Sequence, residues 1–195
     1  MTSVCSIALS AGGTGGHVYP AIALSQALRK RGWSITLMTD KRGQTFAKSI
    51  SDAKTHHIRA ANFRGGVSEK LIGLAEMGAG ILNAYTLLKR IKPAAAVGFG
   101  GYSSIPTVWA ATRLKIPTLI HEQNAVLGRA NRLLASRVEG IATSFQKTEK
   151  VSSKSKHKII FTGNPVRSDV SDIGKTAYPS IKKQTGMNIL VVGGS

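Results

Sequence analysis

The sequence predicts an α/β protein in which helices cover a parallel β-sheet. Short apolar runs rich in β-branched residues alternate with longer segments whose apolar residues recur at three- and four-residue spacing, which is the pattern of strands joined by crossover helices. The first apolar run leads directly into a glycine-rich turn. Hydrophobic residues make up 42% of the 195 residues, which is enough for a buried core and excludes a disordered chain.

Seven strands and five helices follow from this pattern. The predicted strands are Val4–Leu9, Ser34–Thr39, Thr55–Ile58, Ala94–Gly98, Pro117–His121, Glu139–Thr143 and Lys158–Phe161. The predicted helices are Val18–Arg31, Gln44–Ile50, Glu69–Ile91, Ile105–Arg113 and Val126–Ser136. The first helix is the clearest, because Ala21, Leu24 and Leu28 repeat at helical spacing and Gly32 follows as a stop signal.

Composition divides the chain into three segments. Residues 1–167 carry the predicted sheet, and residues 168–187 are polar and contain Gly174 and Pro179, which indicates a linker. Residues 188–195 repeat the apolar run and glycine turn of the opening. They predict the first strand of a second, truncated α/β domain, because a parallel neighbour needs a crossover of a dozen or more residues. The alternative is an extra edge strand on the first sheet.

The charge predicts an anionic partner. Lys and Arg number 27 against 9 Asp and Glu, giving a formal net charge of +18. Nucleic acid, a nucleotide-sugar, a lipid diphosphate or an acidic membrane surface each fit that charge. Cys5 is the single cysteine, which excludes an intramolecular disulfide or a cysteine-built zinc site and fits a reducing cytosol. The first ten residues lack the features of a signal peptide.

The glycine-rich turn Gly12–His17 predicts a phosphate-binding loop. It lies between the first strand and the first helix, where glycines permit close approach and helix N–H groups face an anion. A nicotinamide-dependent oxidoreductase competes with this interpretation, because Asp40 follows the second strand where a ribose-binding acid is expected. The dinucleotide fingerprint is incomplete, since Val18 occupies the position of its third glycine.

His17 is the candidate general base. A helix N-terminus disfavours the imidazolium, so the ring is expected to be neutral and able to accept a proton. The alternative is a histidine that caps or packs the helix. Glu122, after the fifth strand, is a second acid–base candidate, and neighbouring His121 could share that work or, like Glu122, only cap the next helix.

Further binding candidates lie at the same predicted edge. Gly100, Gly101 and Tyr102 follow the fourth strand, so they are expected beside the residues that follow the fifth. Gln123 and Asn124 suit hydrogen bonds to sugar hydroxyls or an amide, or else cap the next helix. Arg167 follows the last strand and suits a phosphate, or else lies on a hinge surface.

The helix around residues 71–92 is apolar over most of its circumference. Its length would reach across a bilayer, but Glu76 and three glycines argue against a span. Arg64, Lys70 and Arg90 are among the basic residues near it, so an apolar patch edged by cations could rest on anionic lipid. Simple packing into the core is the alternative.

Several motifs together resemble the bacterial GlcNAc transferases that convert lipid I to lipid II in peptidoglycan synthesis. They are GGTGGHVYPAIALSQAL at 12–28, GFGGYSSIP at 98–106, IPTLIHEQNAVLGRANRLLA at 116–135, TGNPVR at 162–167 and LVVGGS at 190–195. The resemblance implies the N-terminal Rossmann-like acceptor domain of a glycosyltransferase B architecture. It implies inverting transfer of GlcNAc from UDP-GlcNAc to the C4 hydroxyl of MurNAc in undecaprenyl-diphosphate-muramyl pentapeptide, with consequences for cell shape and division.

The same resemblance implies roles for particular residues. Thr14, Gly15 and Gly16 match the ligand-contacting loop, while Asn124, Arg167 and Ser195 match residues that contact UDP-GlcNAc. His17 and Glu122 match positions for catalysis or acceptor binding. No cofactor or metal is expected, since UDP-GlcNAc is a co-substrate. The helix at 71–92 matches a membrane patch, which implies peripheral attachment to the cytoplasmic face of the cell membrane.

One further expectation concerns activity, and two alternatives to the transferase remain. The chain alone should have negligible turnover, because the remaining donor-domain motifs lie beyond it. An oxidoreductase leaves the motifs HEQN and TGNPVR without roles. A basic nucleic-acid-binding module is the non-enzyme alternative, although aromatic residues make up only 6% of the chain.

Overall fold

The computed structural model describes residues 5–43, 53–60 and 66–177, together with residues 189 and 191. The strands are β1 (Ser6–Ser10), β2 (Ser34–Thr39), β3 (Lys54–His57), β4 (Ala95–Gly98), β5 (Thr118–Glu122), β6 (Gly140–Thr143) and β7 (Ile159–Phe161). The helices are α1 (Gly15–Arg29), α2 (Val67–Ile91), α3 (Ile105–Arg113), α4 (Arg129–Leu134) and α5 (Ser168–Ile173). Short 3-10 segments lie at Tyr102–Ser104 and Ser153–Lys158.

The seven strands form one parallel sheet in the order β3-β2-β1-β4-β5-β6-β7. The chain builds outward from β1 to β3, then crosses to the other side of β1 and builds outward from β4 to β7. The strand order therefore reverses between β1 and β4. This arrangement confirms the predicted parallel α/β fold.

Alternating residues of β1 divide the core between the two faces of the sheet. Ile7 and Leu9 pack with α1 residues such as Ile22, whereas Ala8 packs with Leu88 of α2 and Ala111 of α3. Successive strand residues point to opposite faces, so α1 covers one face while α2 and α3 cover the other. The helices thereby leave the carboxyl ends of the central strands available for loops.

Helix α2 combines a buried side with an apolar exposed side. Its stretch Ser68–Ile91 is long and apolar enough to cross a membrane by length and composition, but Leu88 is fully buried in the core of the domain. Leu71, Leu74 and Leu82 are exposed, with 63%, 63% and 68% of their surface accessible. The helix thus packs as a layer of the fold and still presents large apolar side chains outward.

The structure confirms all seven predicted strands, with bounds that differ by at most two residues. The predicted helix Val126–Ser136 is shorter, because backbone pairing of Val126 with Glu149 holds its first residues extended. The predicted helix Gln44–Ile50 lies outside the described residues, as do nearly all of residues 178–195. The short helix α5 lies within the predicted linker, and the division into domains stays a prediction.

Candidate active site at the carboxyl edge of the sheet

Three loops meet where β1, β4 and β5 end side by side. Ser10 of β1 pairs with Gly98 of β4, which pairs with Ile120 of β5. The loops that follow these strands leave the same edge of the sheet, at the point where the strand order reverses. Open parallel α/β sheets bind their ligands in the crevice at this point.

The loop after β1 packs closely against its neighbours. A Cβ atom on Gly12 would lie 2.6 Å from Ser103 Oγ and 2.8 Å from Asp40 Oδ1. A Cβ atom essentially never lies this close to another heavy atom, so only glycine fits without displacing both neighbours. The close approach brings the loops after β1, β2 and β4 into one surface.

Asp40 is buried and already engaged. Its Oδ1 accepts hydrogen bonds from the backbone N–H of Gly43 at 2.9 Å and of Gly13 at 3.4 Å. Its Oδ2 pairs with the Arg42 guanidinium at 3.1 Å. Asp40 therefore joins the loop after β2 to the glycine-rich loop, which is a different role from binding a ribose.

Helix α1 begins at Gly15, and its N-terminus lies at the carboxyl edge of the sheet. The N-cap residue Thr14 makes no side-chain capping bond, although its carbonyl accepts from the N–H groups of His17 at 3.1 Å and Val18 at 3.3 Å. The first N–H groups of a helix have no partner within the helix and carry partial positive charge. This end of α1 is suited to hold an anionic group.

The imidazole of His17 lies against two glycines of the loop after β4. Gly100 and Gly101 have φ values of 87° and 72°, a region that favours glycine. A Cβ atom on Gly100 would lie 3.2 Å from His17 Cε1, and one on Gly101 would lie 3.3 Å from His17 Cδ2. The two glycines thus supply both the turn and the space for the ring.

A series of hydrogen bonds connects His17 to the loop that follows β7. His17 Nδ1 lies 3.0 Å from Gln123 Oε1. Gln123 Nε2 lies 3.0 Å from the Phe99 carbonyl oxygen and 3.0 Å from His121 Nδ1. His121 Nε2 lies 3.1 Å from the Gly163 carbonyl oxygen. Residues from the loops after β1, β4 and β7 are therefore linked through β5 and the residue that follows it.

Burial lowers the pKa of His121 from its ordinary value of 6.5, while the hydrogen bond to Gly163 and the charge of Glu122 partly raise it. His121 is 3% exposed. Because burial has the largest effect on the pKa, the neutral imidazole is favoured at neutral pH. A neutral ring has one N–H donor and one acceptor nitrogen.

Glu122 is a buried carboxylate with four hydrogen-bond donors around it. Its Oε1 accepts from the Asn124 backbone N–H at 3.1 Å and side-chain Nδ2 at 2.9 Å. Its Oε2 accepts from the Gly128 N–H at 2.8 Å and Asn131 Nδ2 at 2.9 Å. The carboxylate therefore holds the loop between β5 and α4 in place.

These loops enclose a cavity of about 200 Å³. Its lining residues are His17, Gly100, Gly101, Tyr102, Glu122, Asn124, Gly128, Arg129, Ala130 and Asn131. A larger cavity of about 700 Å³ lies at the ends of β2 and β3 and is lined mainly by charged residues such as Arg42 and Arg59. We place the candidate site at the smaller cavity, because His17 and all three central loops meet there.

Arg167 stacks on the ring of Tyr19, which lies against the start of α1. Its guanidinium carbon lies 4.7 Å from the centroid of the Tyr19 ring, and its Nε lies 3.6 Å from Asp169 Oδ1. A Cβ atom on Gly15 would lie 2.8 Å from Tyr19 Cε2, so this ring covers the start of α1. The stacking places a cation beside the helix N-terminus.

A family model, the glycosyltransferase family 28 N-terminal domain, matches residues 7–143. The chain belongs to this family. The matched region runs from β1 to the end of β6, so this family 28 domain contains all three loops that form the candidate site. Membership disfavours both the oxidoreductase and the nucleic-acid-binding alternatives.

Curated relatives extend the similarity of the family 28 domain along nearly the whole chain. A protein of Paramagnetospirillum magneticum is 47% identical over 190 residues, covering 97% of this chain and 51% of the relative. One of Rhodospirillum centenum is 45% identical over 193 residues, covering 99% and 51%. Both are named UDP-N-acetylglucosamine--N-acetylmuramyl-(pentapeptide) pyrophosphoryl-undecaprenol N-acetylglucosamine transferase. The chain spans about half the length of the curated relatives it matches.

A solved structure supports the same conclusion. The crystal structure of Acinetobacter baumannii MurG is similar with a TM-score of 0.68 and 26% identity, covering 86% of this chain and 47% of that one. The predicted fold class, a Rossmann-like N-terminal domain of a glycosyltransferase B architecture, is confirmed. The resemblance drawn from the motifs is confirmed as well.

The structure brings most of the predicted site residues of the family 28 domain to one edge. These residues are Thr14, Gly15, Gly16, His17, Gly100, Gly101, Tyr102, Glu122, Asn124 and Arg167. Ser195 lies outside the described residues. Within the described residues, no three His, Cys, Asp or Glu side chains form a group suited to a metal ion. The catalytic and binding roles stay predictions.

Sequence reasoning missed two contributors to the family 28 site. Asn131 of α4 donates to Glu122 and to the His121 carbonyl. The available signal was a polar residue among the apolar positions of a predicted helix, next to Ala130 and three residues before Leu134. Gln123 was assigned to ligand binding or helix capping, whereas its amide connects His17 to His121. No spacing in the sequence indicates that connection, because it joins loops that are distant along the chain.

Proposed function

We propose that this chain is the acceptor-binding half of an inverting glycosyltransferase that moves GlcNAc from UDP-GlcNAc to the C4 hydroxyl of MurNAc in undecaprenyl-diphosphate-muramyl pentapeptide. The observation that carries the proposal is the convergence of three loops at the strand-order reversal around His17. Names of the Paramagnetospirillum and Rhodospirillum relatives support the substrates. Cell-wall synthesis in turn supports a role in cell shape and division.

The geometry suits the chemistry of this transfer. A base must take the proton of the attacking hydroxyl while a diphosphate leaves the sugar. His17 lines the cavity, and the uncapped N-terminus of α1 lies two residues before it. We assign His17 as the base and the start of α1 as a contact for an anionic diphosphate. Arg167, stacked on Tyr19, adds positive charge beside it.

The test is a chimera in which this chain replaces the corresponding half of the Paramagnetospirillum relative. The chimera should transfer labelled GlcNAc from UDP-GlcNAc to a soluble lipid I analogue, and the isolated chain should not. His17→Ala should lower kcat by roughly 10²- to 10⁴-fold, the usual contribution of a general base. His157→Ala, an exposed histidine on the Ser153–Lys158 segment, is the matched control and should keep full activity.

Two outcomes would contradict this assignment. An active chimera that tolerates His17→Ala would remove His17 from the chemistry. An inactive chimera, together with binding of NADPH in preference to the lipid I analogue by the isolated chain, would overturn the transferase proposal. Ligand-observed NMR with the lipid I analogue, UDP-GlcNAc and NADPH measures that preference directly.

We also propose that the domain attaches peripherally to the cytoplasmic face of the cell membrane through α2. Leu71, Ile72 and Leu74 are exposed on its first turns, and exposed Lys70 precedes them. Burial of apolar side chains at the headgroup boundary, combined with attraction to anionic lipid, binds such surfaces. The chain should cosediment with phosphatidylglycerol-containing vesicles, and equal binding to purely zwitterionic vesicles would contradict the electrostatic part.

A further inference from the structure

The side-chain amide of Gln123 has only one orientation that satisfies its neighbours. One end of the amide lies 3.0 Å from the Phe99 carbonyl oxygen, which can only accept a hydrogen bond. The NH₂ group must therefore occupy that end, since two oxygens would otherwise face each other. The carbonyl oxygen Oε1 then faces His17 Nδ1 at 3.0 Å.

The orientation of this amide fixes the position of a proton on each histidine. His121 Nε2 faces the Gly163 carbonyl oxygen, so it carries hydrogen, and Nδ1 of the neutral ring accepts from Gln123 Nε2. Gln123 Oε1 is an acceptor, so His17 Nδ1 carries hydrogen. In the neutral His17 ring, the unprotonated nitrogen is consequently Nε2.

The glycines after β4 fix the plane of the same ring. Gly100 lies along the Cε1–Nδ1 edge of His17 and Gly101 along Cδ2, both at close range for any added atom. The imidazole is thus held by packing on one side and by Gln123 at Nδ1. Precise orientation of a base by groups that do not react is a general requirement of proton transfer.

We propose that Gln123 is a positioning residue that, fixed by His121 and the Phe99 carbonyl, holds His17 in the Nδ1–H tautomer and makes Nε2 the proton acceptor. The catalytic part rests on the proposed function. There, the O–H bond of the acceptor hydroxyl breaks, its proton passes to Nε2, and the oxygen forms the new bond to the sugar as the diphosphate leaves. The Gln123 carbonyl stabilises the resulting imidazolium through Nδ1–H.

The first test reads the tautomer directly and needs no enzymatic activity. Two-bond ¹H–¹⁵N correlation spectra of the ¹⁵N-histidine-labelled chain distinguish Nδ1–H from Nε2–H rings, with His17 assigned by its absence in His17→Gln. Wild type should show Nδ1–H at His17. Gln123→Met should shift the ring toward Nε2–H, while the exposed-residue control Gln146→Met should leave the spectrum of His17 unchanged.

The second test uses the chimera. Gln123→Met should lower kcat by roughly 10- to 100-fold, by analogy with the groups that orient metal-binding histidines, with KM little changed. Gln123→Glu keeps an acceptor for Nδ1–H but sets an oxygen against the Phe99 carbonyl, so it should recover only part of that loss. An Nε2–H ring in wild type, or an unchanged tautomer in folded Gln123→Met, would overturn the proposal.

The two proposals fail separately in these experiments. An inactive chimera, together with preferential binding of NADPH by a chain whose His17 retains the Nδ1–H tautomer, would contradict the transferase while supporting the positioning role. An active chimera with an Nε2–H ring would do the reverse. The wild-type spectrum decides the tautomer even if Gln123→Met fails to fold.

Discussion

The carboxyl edge and helix α2 reverse the usual distribution of polar and apolar side chains in opposite ways. The edge buries His121 and Glu122 at 3% and 1% exposure, whereas α2 exposes Leu71 and Leu74 at 63% each. The buried polar groups have hydrogen-bond partners within the domain. The exposed leucines have a surface that no described part of the chain covers. His121 and Glu122 are thus satisfied within the domain, whereas the exposed side of α2 is suited to an external partner.

The largest effect is expected from removing a buried carboxylate at the carboxyl edge. Glu122→Ala should lower the free energy of unfolding by about 3 kcal/mol, because buried donors on Gly128 and Asn131 lose their charged acceptor. Urea denaturation measures this change. Glu69→Ala, at an exposed site in the first turn of α2, should stay within about 0.5 kcal/mol of wild type. Equal stability of the two variants would contradict the role of Glu122 in holding the loop between β5 and α4.

A smaller effect is expected from making the exposed face polar. Leu71→Ser combined with Leu74→Ser should weaken binding to phosphatidylglycerol-containing vesicles by about tenfold, because two apolar side chains no longer enter the lipid. The free energy of unfolding should change by less than about 1 kcal/mol, since both positions are exposed. Cosedimentation and urea denaturation separate these quantities. Leu133→Ser, an exposed leucine of α4, is the control and should bind vesicles normally.

The smallest expected effect concerns how the free energy of unfolding depends on pH. Burial lowers the pKa of His121 below 6.5 in the folded state, despite opposing effects of Gly163 and Glu122. The unfolded chain therefore binds more protons than the folded chain as pH falls from 6.5 through the lowered pKa, so stability is lost in that interval. His121→Asn should flatten this part of the stability–pH curve. Unchanged pH dependence would contradict the neutral buried ring.

Partly buried His56 contributes to the same interval with the same sign, since burial and nearby Arg90 and Lys54 lower its pKa. His56→Asn provides an independent comparison, because three strands lie between β3 and β5 in the sheet. The flattening in the double variant should equal the sum of the two single effects. A non-additive result would show that the two histidines titrate together.

The sheet was predictable because each strand carries its own local signal. Compact apolar runs such as Ser34–Thr39 need no distant information, and that strand was predicted at its observed bounds. Errors occurred where distant residues decide the outcome or where the local signal is weak. Val126 belongs by pattern to a helix, but its pairing with Glu149 keeps it extended. Helix α1 begins three residues earlier than predicted, because glycines give little helical signal.

The candidate site was predictable in its residues and less so in their connections. A parallel sheet brings strand ends together, so His17, Gly100 and Glu122 were expected at one edge and are found there. The sequence did not reveal that Asp40 holds the glycine-rich loop, or that Gln123 joins two histidines. Those functions depend on side-chain directions within a few ångströms, which residue type and spacing do not determine.

Gly12 has a consequence for how this sequence can change over generations. A single nucleotide change that alters a glycine codon to encode another amino acid adds a side chain, and any side chain here meets Ser103 Oγ at 2.6 Å and Asp40 Oδ1 at 2.8 Å. Ser103 Oγ is buried without a hydrogen-bond partner, whereas Asp40 is held by Gly43 and Arg42. A replacement of Gly12 therefore requires Ser103 and Asp40 to move, so a change at either neighbour alters which replacements the position tolerates.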